Sequence, residues 1–313
     1  MKKVLITGGA GFIGANFVHK FLTVGYKVFV MERKGADFWR LEKVKSRVKI
    51  YTLDIANEKA VEKCIRSIKP EIVLHFATYG AYQRFQQNIH TTVDINLAGT
   101  INLLNACQKT GVKCFINTGT NAEYGMKEKP MKESDLLEPD TIYGITKAAA
   151  TLYCQMMARK CKFPVVTLRP FAVYGYFEEP ERLMPSAIIP CLKSGNMKLS
   201  KPDFVRPFIF IEDVMDAYAL AIKHITKVQG QIINIGGKKQ YAVSKVVALA
   251  RKITNSNAKP EYGRVTATQT EPKAWVYDIS KAKQMLGWQP KHNLEEGLKK
   301  NIAWFKEHIH LYE

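Results

Sequence analysis

Short apolar runs alternate with amphipathic segments along the N-terminal half of the chain. Six of the runs have the length and the β-branched or aromatic content of strands: KKVLITG, YKVFVME, VKIYTLD, EIVLHFA, CFINTGT and VVTLRPF. The segments between them carry apolar residues at helical spacing, as in ANFVHKFLTVG, EKAVEKCIRSI, TVDINLAGTINLLNACQKTG and YGITKAAATLYCQMMARKC. Strands that alternate with helices form a parallel sheet covered on both faces, and right-handed crossovers then favour a doubly wound α/β fold.

The second half of the chain loses this alternation. Residues 171–203 are rich in Pro, Glu and bulky apolar side chains and show no regular order of strand and helix. Residues 208–225 (FIFIEDVMDAYALAIKHI) again have the pattern of a strand followed by a helix, which suggests a return to the main sheet. We expect a larger domain and a smaller, interrupted C-terminal lobe around a cleft, formed respectively by residues 1–170 plus about 204–228, and by 171–203 plus about 229–313.

Composition is that of a globular protein in water. Of the 313 residues, 46% are hydrophobic and 24% are charged, and no apolar run approaches the ~20 residues that a membrane span needs. The two N-terminal lysines precede only the short apolar run VLI, which glycines interrupt, so no signal peptide is expected. We therefore expect a cytoplasmic protein without membrane association.

The cysteines are isolated from one another. They form no CxxC pair and accompany no cluster of histidines, which predicts buried, reduced thiols and no metal site. The six are Cys64, Cys107, Cys114, Cys154, Cys161 and Cys191.

The net charge of +19 is large and has three interpretations. It could serve a nucleic-acid partner, attract a dianionic nucleotide substrate, or consist of surface lysines without a specific partner. The lysines are scattered, as in KK, KEK and KAK, and no aromatic residues are interleaved with them. This distribution favours surface lysines, with attraction of an anionic substrate as a second contribution, and no nucleic-acid partner is expected.

Gly8, Gly11 and Gly14 follow the first predicted strand and open a helix, in the segment TGGAGFIG at residues 7–14. Glycines at this spacing allow a tight turn, a close approach of the backbone to a pyrophosphate and close packing of the helix on the strand. The N-terminus of the helix then favours a bound anion. The segment predicts a dinucleotide site, with the pyrophosphate against Gly8, Gly11, Phe12, Ile13 and Gly14.

The end of the second strand bears on the choice between NAD and NADP. A carboxylate at Glu32 would accept hydrogen bonds from the adenosine ribose, whereas Arg33 or Arg40 could pair with the 2′-phosphate of NADP or be solvated surface charges. Because Glu32 would repel a phosphate, we favour NAD as the NAD(P) cofactor. Asp54 ends the third strand, where it could bind the adenine amine or form a turn.

Tyr143 and Lys147, in TIYGITK, lie four residues apart and would project from one face of a helix. An ammonium beside a phenol stabilises the phenolate and lowers a pKa that is ordinarily about 10. Such a phenol can exchange a proton with a substrate hydroxyl while a nicotinamide exchanges the hydride. Together with the glycine segment, this pair predicts oxidoreductase chemistry on an alcohol or a ketone.

These motifs together resemble the extended short-chain dehydrogenase/reductase family, which comprises nucleotide-sugar epimerases, dehydratases and reductases. The likeness covers essentially the whole chain and includes TGGAGFIG, Asp54-Ile55, HFAT, NLAGT, Tyr124-Gly125, YGITK, LRPFAVYG and DISKAKQMLGWQP. It implies a Rossmann fold and a homodimer formed through a four-helix bundle by NLAGTINLLNAC and KAAATLYCQMMA, although the small and apolar faces of these two segments are also those of any helix that covers a sheet. It also implies that Lys147 holds the nicotinamide ribose, that Phe171 lies beside the nicotinamide, and that further cofactor contacts come from Ile55, Phe76, Ala77, Thr78, Asn96 and Pro170.

The resemblance also indicates a reaction. Thr120 stands where the family has the hydroxyl that bonds the reacting sugar oxygen, which suits a proton relay to Tyr143. The 4,6-dehydratases have Asp and Glu next, and nucleotide-glucuronate decarboxylases have Glu at the second position, where this chain has Asn121 and Ala122. Dehydration and decarboxylation are therefore disfavoured, and Glu123 is one residue out of place for either reaction.

With Asn121 and Ala122 at these two positions, the reaction expected is oxidation and reduction at one sugar carbon, for which C4 is favoured. A 4-epimerase would return the hydride to the other face of the ketose, whereas a 4-ketoreductase would transfer one hydride to a deoxy-ketosugar. We place the epimerase first because Glu32 favours NAD. A non-catalytic dinucleotide sensor or RNA-associated protein is a third hypothesis, which the intact set of Thr120, Tyr143 and Lys147 argues against.

The substrate contacts are predicted from the same resemblance. Arg206 matches an arginine that binds the substrate diphosphate, although Pro207 follows it where the family usually has Asp, and Ala172 replaces an asparagine expected on phosphate. Further candidates share a position near the sugar or the nucleotide, with surface salt bridges as the alternative for the arginines and core packing for the tyrosines. They are Tyr79, Gly80, Tyr82, Asn121, Arg182, Leu183 and Arg264.

Overall fold

The computed structural model describes residues 1–81, 88–265 and 276–313 of the chain. Its strands are β1 (Lys3–Thr7), β2 (Lys27–Glu32), β3 (Lys49–Thr52), β4 (Ile72–His75), β5 (Cys114–Thr118), β6 (Val165–Pro170), β7 (Val173–Tyr174), β8 (Asn196–Lys198), β9 (Val205–Arg206), β10 (Ile209–Phe210), β11 (Ile232–Ile235), β12 (Tyr241–Ala242) and β13 (Lys259–Glu261). Its helices are α1 (Phe12–Thr23), α2 (Glu58–Ile68), α3 (Ile89–Val93), α4 (Gly99–Thr110), α5 (Ile142–Cys161), α6 (Leu183–Lys193), α7 (Ile211–Lys223), α8 (Ile225–Val228), α9 (Val243–Thr254), α10 (Ser280–Leu286) and α11 (Leu294–His308). Short 3-10 segments at Trp39–Arg47, Asn121–Glu123 and Ile309–Tyr312, and a π turn at Asp94–Ala98, complete the description.

Parallel strands form the central sheet, in the order β11-β6-β5-β4-β1-β2-β3. The six strands predicted in the N-terminal half occupy six of these places, which confirms the predicted doubly wound α/β fold. The chain leaves β1 toward β2 and β3 and then crosses back to β4 on the other side of β1. Because the order reverses between β1 and β4, their carboxyl ends open a crevice of the kind that binds ligands.

Helices cover both faces of this sheet. Val4 and Ile6 of β1 pack into the layer that contains α1 and α7, whereas Leu5 packs into the layer of α2, α4 and α5. All three residues are fully buried. Successive residues of a strand point to opposite faces, so a strand that is covered on both sides is apolar throughout. This burial is the physical reason why the predicted strands are continuous apolar runs.

The return of the chain to the main sheet differs from the prediction. The predicted strand and helix form as β10 and α7, but β10 is two residues long and pairs with β7 outside the main sheet. The strand that joins the main sheet is β11, which runs parallel to β6 and places Ile232 opposite Thr167. Helix α7, which starts at Ile211, lies in the connection from β6 to β11 and packs against β5 and β6, and the strand that joins the sheet comes after it.

No helix in the described ranges is long and apolar enough to cross a bilayer. The same ranges contain no group of three His, Cys, Asp or Glu residues placed to hold a metal ion.

All six cysteines are free thiols, and five of them are buried. Cys161 is exposed, so the prediction of burial is wrong for that residue. Burial raises the pKa of Cys64, Cys114 and Cys154 to about 12, which keeps these thiols protonated and unreactive.

Candidate active site

The glycine segment lies at the carboxyl end of β1, in the crevice. Gly8 has a φ of 68° and donates a backbone hydrogen bond to the carbonyl of Met31 at 3.0 Å. A Cβ at Gly8 would lie 2.6 Å from the backbone nitrogen of Ala77, and a Cβ at Gly14 would collide with the carbonyl oxygen of Gly8. Both positions therefore require glycine. Helix α1 begins directly after Gly11, and no side chain caps its first turn. The backbone N–H groups of this turn can therefore bind an anion.

Glu32 bends its carboxylate over this segment. Oε1 accepts a hydrogen bond from the backbone N–H of Ala10 at 2.8 Å, and Oε2 accepts one from the N–H of Arg33 at 3.3 Å. Burial raises the pKa of Glu32, and these two hydrogen bonds oppose the shift. A carboxylate thus borders the cradle where the ribose of a dinucleotide would lie, which fits NAD and disfavours the 2′-phosphate of NADP.

Arg40 has neither of the roles considered from the sequence. Its side chain is buried, with Nε donating to the carbonyl of Phe177 at 2.7 Å and Nη1 to the carbonyl of Ala10 at 3.3 Å. It also pairs with Glu179 at 3.4 Å and stacks on the ring of Trp39. Arg40 therefore holds the glycine segment from behind, whereas Arg33 is exposed beside Glu32.

Asp54 forms a turn two residues beyond β3. Its Oδ1 accepts a hydrogen bond from the N–H of Ala56 at 2.9 Å, and its carbonyl accepts one from Asn57 at 3.0 Å. The side chain is exposed, whereas Ile55 beside it is buried in the layer of α2 and α4. The turn considered from the sequence is therefore present.

A buried chain of hydrogen bonds joins β1, β4 and the start of α4. The N–H of Ala77 donates to Oγ1 of Thr7 at 3.2 Å, and Oγ1 of Thr100 donates to the carbonyl of Asn96 at 2.7 Å. His75 lies between the two hydroxyls, 2.7 Å from Thr7 and 2.9 Å from Thr100. Since the Thr100 hydrogen is used, Nε2 of His75 must donate and Nδ1 must accept, which fixes a neutral ring. Burial, together with a smaller effect of the nearby Lys147, lowers the pKa of His75 to about 3.

Asn96 organises the loop that follows β4. Its Oδ1 accepts hydrogen bonds from the hydroxyl of Thr78 at 3.1 Å and from the N–H of Tyr79 at 2.8 Å. Its Nδ2 donates to the carbonyl of Tyr79 at 2.9 Å and to Oγ1 of Thr146 at 3.1 Å. All four positions of the amide are filled within the protein. The π turn that contains Asn96 is the local irregularity that aims the side chain between this loop and α5.

Helix α5 presents Tyr143 and Lys147 in its first two turns. Thr141 caps the helix by accepting a hydrogen bond from the N–H of Gly144 at 3.0 Å. Lys147 is only 3% exposed, and Thr120, at the carboxyl end of β5, is 8% exposed. The hydroxyls of Thr120 and Thr78 lie near enough to the phenol of Tyr143 to lower its pKa, so the predicted hydroxyl and phenol do meet.

The predicted lowering of the phenol pKa is wrong for this structure. Burial raises the pKa of Tyr143 to about 12, although the hydrogen bonds of Thr120 and Thr78 lower it. Burial also lowers the pKa of Lys147, which weakens the ammonium on which the prediction relied. The spacing of Tyr143 and Lys147 gives their common face but not the desolvation of both groups, and the role of Thr78 has no separate signal in the sequence.

The two residues after Thr120 provide no acid or base. Asn121 Oδ1 accepts from the Thr120 hydroxyl at 3.4 Å, and the backbone N–H of Ala122 donates to the same hydroxyl at 3.3 Å. Glu123 turns away, fully buried, and pairs with Arg169 of β6. The site thus has its hydroxyl and phenol without the two acidic groups expected of a dehydratase.

The predicted substrate residues have separate environments. Arg206 of β9 is half-buried, with Nη1 donating to the carbonyl of Val205 at 2.8 Å. Arg182 precedes Leu183, the first residue of α6, and lies over the ring of Phe12 at 5.5 Å, so it is close to the glycine segment. It also pairs with Glu178 at 3.2 Å.

The remaining candidates are divided between the crevice and the surface. Arg264 is exposed and lies 3.7 Å from Glu261, which is the surface ion pair considered from the sequence. Pro170 ends β6 and is buried, as are Phe171 and Gly80. Tyr79 is half-buried next to Asn96, so the structure gathers it with the loop after β4. The side chain of Tyr82 lies outside the described residues.

Comparison with known proteins agrees with this geometry. The model of the NAD dependent epimerase/dehydratase family matches residues 4–236. A UDP-glucose 4-epimerase of Lactobacillus helveticus is 29% identical over 99% of both chains, and a dTDP-D-glucose 4,6-dehydratase of Bos taurus is 30% identical over 99% of this chain and 90% of that protein. The crystal structure of UDP-glucuronic acid 4-epimerase from Bacillus cereus, in complex with UDP-glucuronic acid and NAD, superimposes with a TM-score of 0.83 at 26% identity and covers 98% of this chain and 99% of that one. The chain therefore belongs to the NAD-dependent epimerase/dehydratase family.

Proposed function

We propose that the protein is an NAD-dependent nucleotide-sugar 4-epimerase. The observation that carries this proposal is the contact of Thr120 with Tyr143 beside a buried Lys147, followed by Asn121 and Ala122. The hydroxyl and the phenol suit oxidation and reduction at one carbon, whereas elimination of water would need the acid and base that are missing at 121 and 122. The epimerases among the relatives, which act on UDP-glucose or UDP-glucuronate by their names, support the same choice.

In the proposed reaction, a bound nicotinamide would supply the hydride transfer from C4 of the sugar and back to the opposite face of the ketose. Tyr143 takes the proton of the C4 hydroxyl as the hydride leaves and returns it at the end of the cycle. Thr120 lies beside the phenol and would bridge it to the sugar oxygen, so the groups of the proton relay are brought together before the reaction. Lys147 lies one helical turn further along α5 and, in its protonated form, would stabilise the phenolate. Because the proton and the hydride both return, one turnover consumes no cofactor.

The other predicted contacts belong to the same proposal. The pyrophosphate of NAD would lie against Gly8, Gly11 and Gly14, and Glu32 would bond the ribose. Asn96 would act indirectly, by fixing the loop that carries Thr78. On the substrate side, Arg206 and Arg182 would neutralise the diphosphate, with residues 171–203 and most of residues 229–313 forming the substrate lobe. In this division β11 belongs to the dinucleotide domain, since it extends its sheet.

We further propose that the active form is a homodimer. Helix α5 exposes Ile145 and Leu152, which are 48% and 54% accessible and lie two turns apart on one face. The neighbouring α3 exposes Ile89 at 59% and Val93 at 38%. Exposed apolar side chains on two neighbouring helices suit an interaction site, and a second copy would cover them with the same surface.

We propose in addition that the protein is cytoplasmic. Its six cysteines are free thiols, and free thiols are typical of the reducing cytoplasm.

The test begins with the purified protein. Its dinucleotide is released by heat and identified, and the protein is then incubated separately with UDP-glucose and UDP-glucuronate while the configuration at C4 is followed by proton NMR. We expect tightly bound NAD⁺ and conversion of at least one sugar to its C4 epimer without net NADH formation. A protein that carries no NAD⁺, prefers NADPH and consumes it stoichiometrically on a 4-keto-deoxysugar would be a ketoreductase, and the proposal would be wrong.

A further inference from the structure

A buried ion pair lies directly behind Thr120. Oε2 of Glu123 accepts hydrogen bonds from Nε of Arg169 at 2.9 Å and from Nη2 at 2.6 Å. Both side chains are fully buried. The guanidinium also lies over the ring of Tyr124, 4.4 Å from its centroid. Burial alone would lower the pKa of Arg169, but the carboxylate of Glu123 outweighs this effect and holds that pKa above its ordinary value, so the guanidinium remains charged.

The second oxygen of the same carboxylate holds the backbone of Thr120. Oε1 of Glu123 accepts the N–H of Thr120 at 2.8 Å, and Oγ1 of Thr120 accepts the N–H of Ala122, so the 3-10 turn is closed from both ends. This reciprocal arrangement is a capping box. The strand residue Arg169 thus fixes the carboxylate, and the carboxylate fixes Thr120.

The charge of Glu123 also acts on α5. The carboxylate raises the pKa of Lys147, opposing the larger effect of burial, and it raises that of Tyr143 as well. The groups that face it are Arg169 from β6, Lys147 and Tyr143 from α5, Tyr124 from its own turn, and Tyr277. Arg169 is bonded to the same carboxylate, so its positive charge offsets part of the effect of Glu123 on both groups.

Stability gives a poor account of this pair. Taking two charges out of water costs more than a buried ion pair usually returns, and hydrophobic residues of similar volume often serve as well. Nη1 of Arg169 has no hydrogen-bond partner among the described residues, which makes the pair more costly still. What the pair provides to the site is the hydrogen bond from the N–H of Thr120 to Glu123 and a negative charge that acts on Lys147.

We propose that Glu123 is a positioning residue of this active site, which fixes Thr120 through Oε1 and supplies the anion that balances Lys147. The inference rests on the proposed epimerase only for its kinetic readout. Glu123 stands one residue beyond the acid of the dehydratases and has the opposite orientation, toward the sheet, so it acts through Thr120 and Lys147 and does not touch the sugar.

Three variants separate the two parts of this role. Glu123→Asp keeps the charge pair but draws the carboxylate away from the N–H of Thr120. The double variant Glu123→Gln with Arg169→Met keeps an acceptor for Thr120 and removes both charges, so no uncompensated guanidinium remains. Glu133→Gln is the matched control, because Glu133 accepts the N–H of Asn234 at 2.8 Å in the same layer and does not act on Lys147 or Tyr143.

The first measurement is independent of turnover. Near-ultraviolet absorbance of tyrosinate is titrated in the NAD⁺-saturated protein, and the curve of Tyr143→Phe is subtracted to isolate one phenol among 14 tyrosines. Removing the ion pair should lower the midpoint of Tyr143 in the double variant, by less than about one pH unit because the loss of Arg169 offsets part of the loss of the anion. The control should leave the midpoint of Tyr143 unchanged.

The second measurement is kcat against KM for the epimerised sugar. Glu123→Asp should lower kcat about tenfold with little change in KM, because the displaced Thr120 serves the transition state more than substrate binding. A folded Glu123→Asp protein with unchanged kcat, or a folded double variant with an unchanged Tyr143 midpoint, would show that the pair is only structural. If the wild type epimerises neither sugar, the proposed function fails, while the titration still decides the role of Glu123.

Discussion

The hydroxyl of Thr7 donates a hydrogen bond to Nδ1 of His75 at 2.7 Å and thereby joins β1 to β4 where the sheet order reverses. The ring passes the connection on through Nε2 to Thr100, at the start of α4. The chain of donors leaves no place for a second proton on the imidazole. The crevice is thus held together by a histidine that must stay neutral.

This arrangement predicts loss of stability in acid. The pKa of His75 is about 3 in the folded protein against 6.5 when unfolded, so the unfolded state binds more protons between these values. The contribution of the neutral His75 ring to the free energy of unfolding is complete above about pH 6.5 and is smaller by about 2 kcal/mol at pH 5. Urea unfolding at pH 7.5 and pH 5 should show that His75→Gln is less stable than the wild type and that the gap narrows at the lower pH. A gap that is constant or wider at pH 5 would contradict the neutral ring.

Local signals in the sequence were sufficient for the fold and for part of the site. Each of the six N-terminal strands is an apolar run bounded by helical periodicity, and the glycine segment identifies itself because Gly8 and Gly14 face close backbone contacts. The spacing of Tyr143 and Lys147 likewise sets their common helix face. These features depend on residues near one another in the chain, so their pattern is visible without the tertiary structure.

What the sequence could not provide depends on contacts between distant residues. Arg40 is buried because it reaches Phe177, which is 137 positions away in the sequence. The residues next to Arg40 in the sequence are those typical of a surface arginine. Glu123 meets Arg169 across 46 positions, and nothing near either residue indicates the other. The pKa of Tyr143 depends on how completely α5 is covered, which the spacing of two residues does not report.

Glu178 should make the protein less stable as the pH rises. Burial raises its pKa to about 8, although Arg182 lowers it, and the side chain is only 3% exposed. The folded state therefore binds more protons than the unfolded state from about pH 4.5 to pH 8, so stability falls across this window and is level above it. Glu178→Gln resembles the protonated acid at every pH.

The gain in stability of Glu178→Gln over the wild type should accordingly grow between pH 5 and pH 8.5, by an amount on the order of 3 kcal/mol. Thermal unfolding at the two values measures it, with Glu307→Gln on the exposed face of α11 as the control that should show no such trend. An advantage that shrinks with rising pH would mean that the carboxylate is ionised and well paired with Arg182.

Ala172 has a backbone conformation that alanine disfavours. Its φ is 49°, in the left-handed region that costs an ordinary residue about 1 kcal/mol and that Asn and Gly tolerate. Ala172→Asn should therefore raise the melting temperature by about 2 °C. Ala172→Val should lower it, because a β-branched side chain is worse still at this φ. Calorimetry of the wild type and the two variants tests whether the backbone at Ala172 is strained. Equal melting temperatures of the three proteins would show that it is not.

Tyr143→Phe should remove the proton transfer and preserve the fold. Loss of a positioned acid–base group lowers kcat by about 10²–10⁴-fold. The melting temperature and the amount of NAD⁺ bound should remain close to those of the wild type. The matched control is Tyr153→Phe on the same helix, where the hydroxyl donates to Asn105 at 2.9 Å and is assigned no part in the reaction. Epimerisation by Tyr143→Phe at the wild-type rate would exclude the proposed acid–base role.

The exposed face of α3 and α5 should hold two copies together. Replacing Leu152 with Glu puts a charge at a position that is 54% exposed in the single chain and would be covered in a dimer. An uncompensated charge at a buried contact is costly, so Leu152→Glu should convert the protein from dimer to monomer in light scattering coupled to gel filtration. Leu136→Glu, at a site that is 73% exposed and outside this face, should leave the mass unchanged. If both variants and the wild type have the mass of one chain, the apolar face does not join two copies, and if Leu152→Glu stays dimeric the contact lies elsewhere.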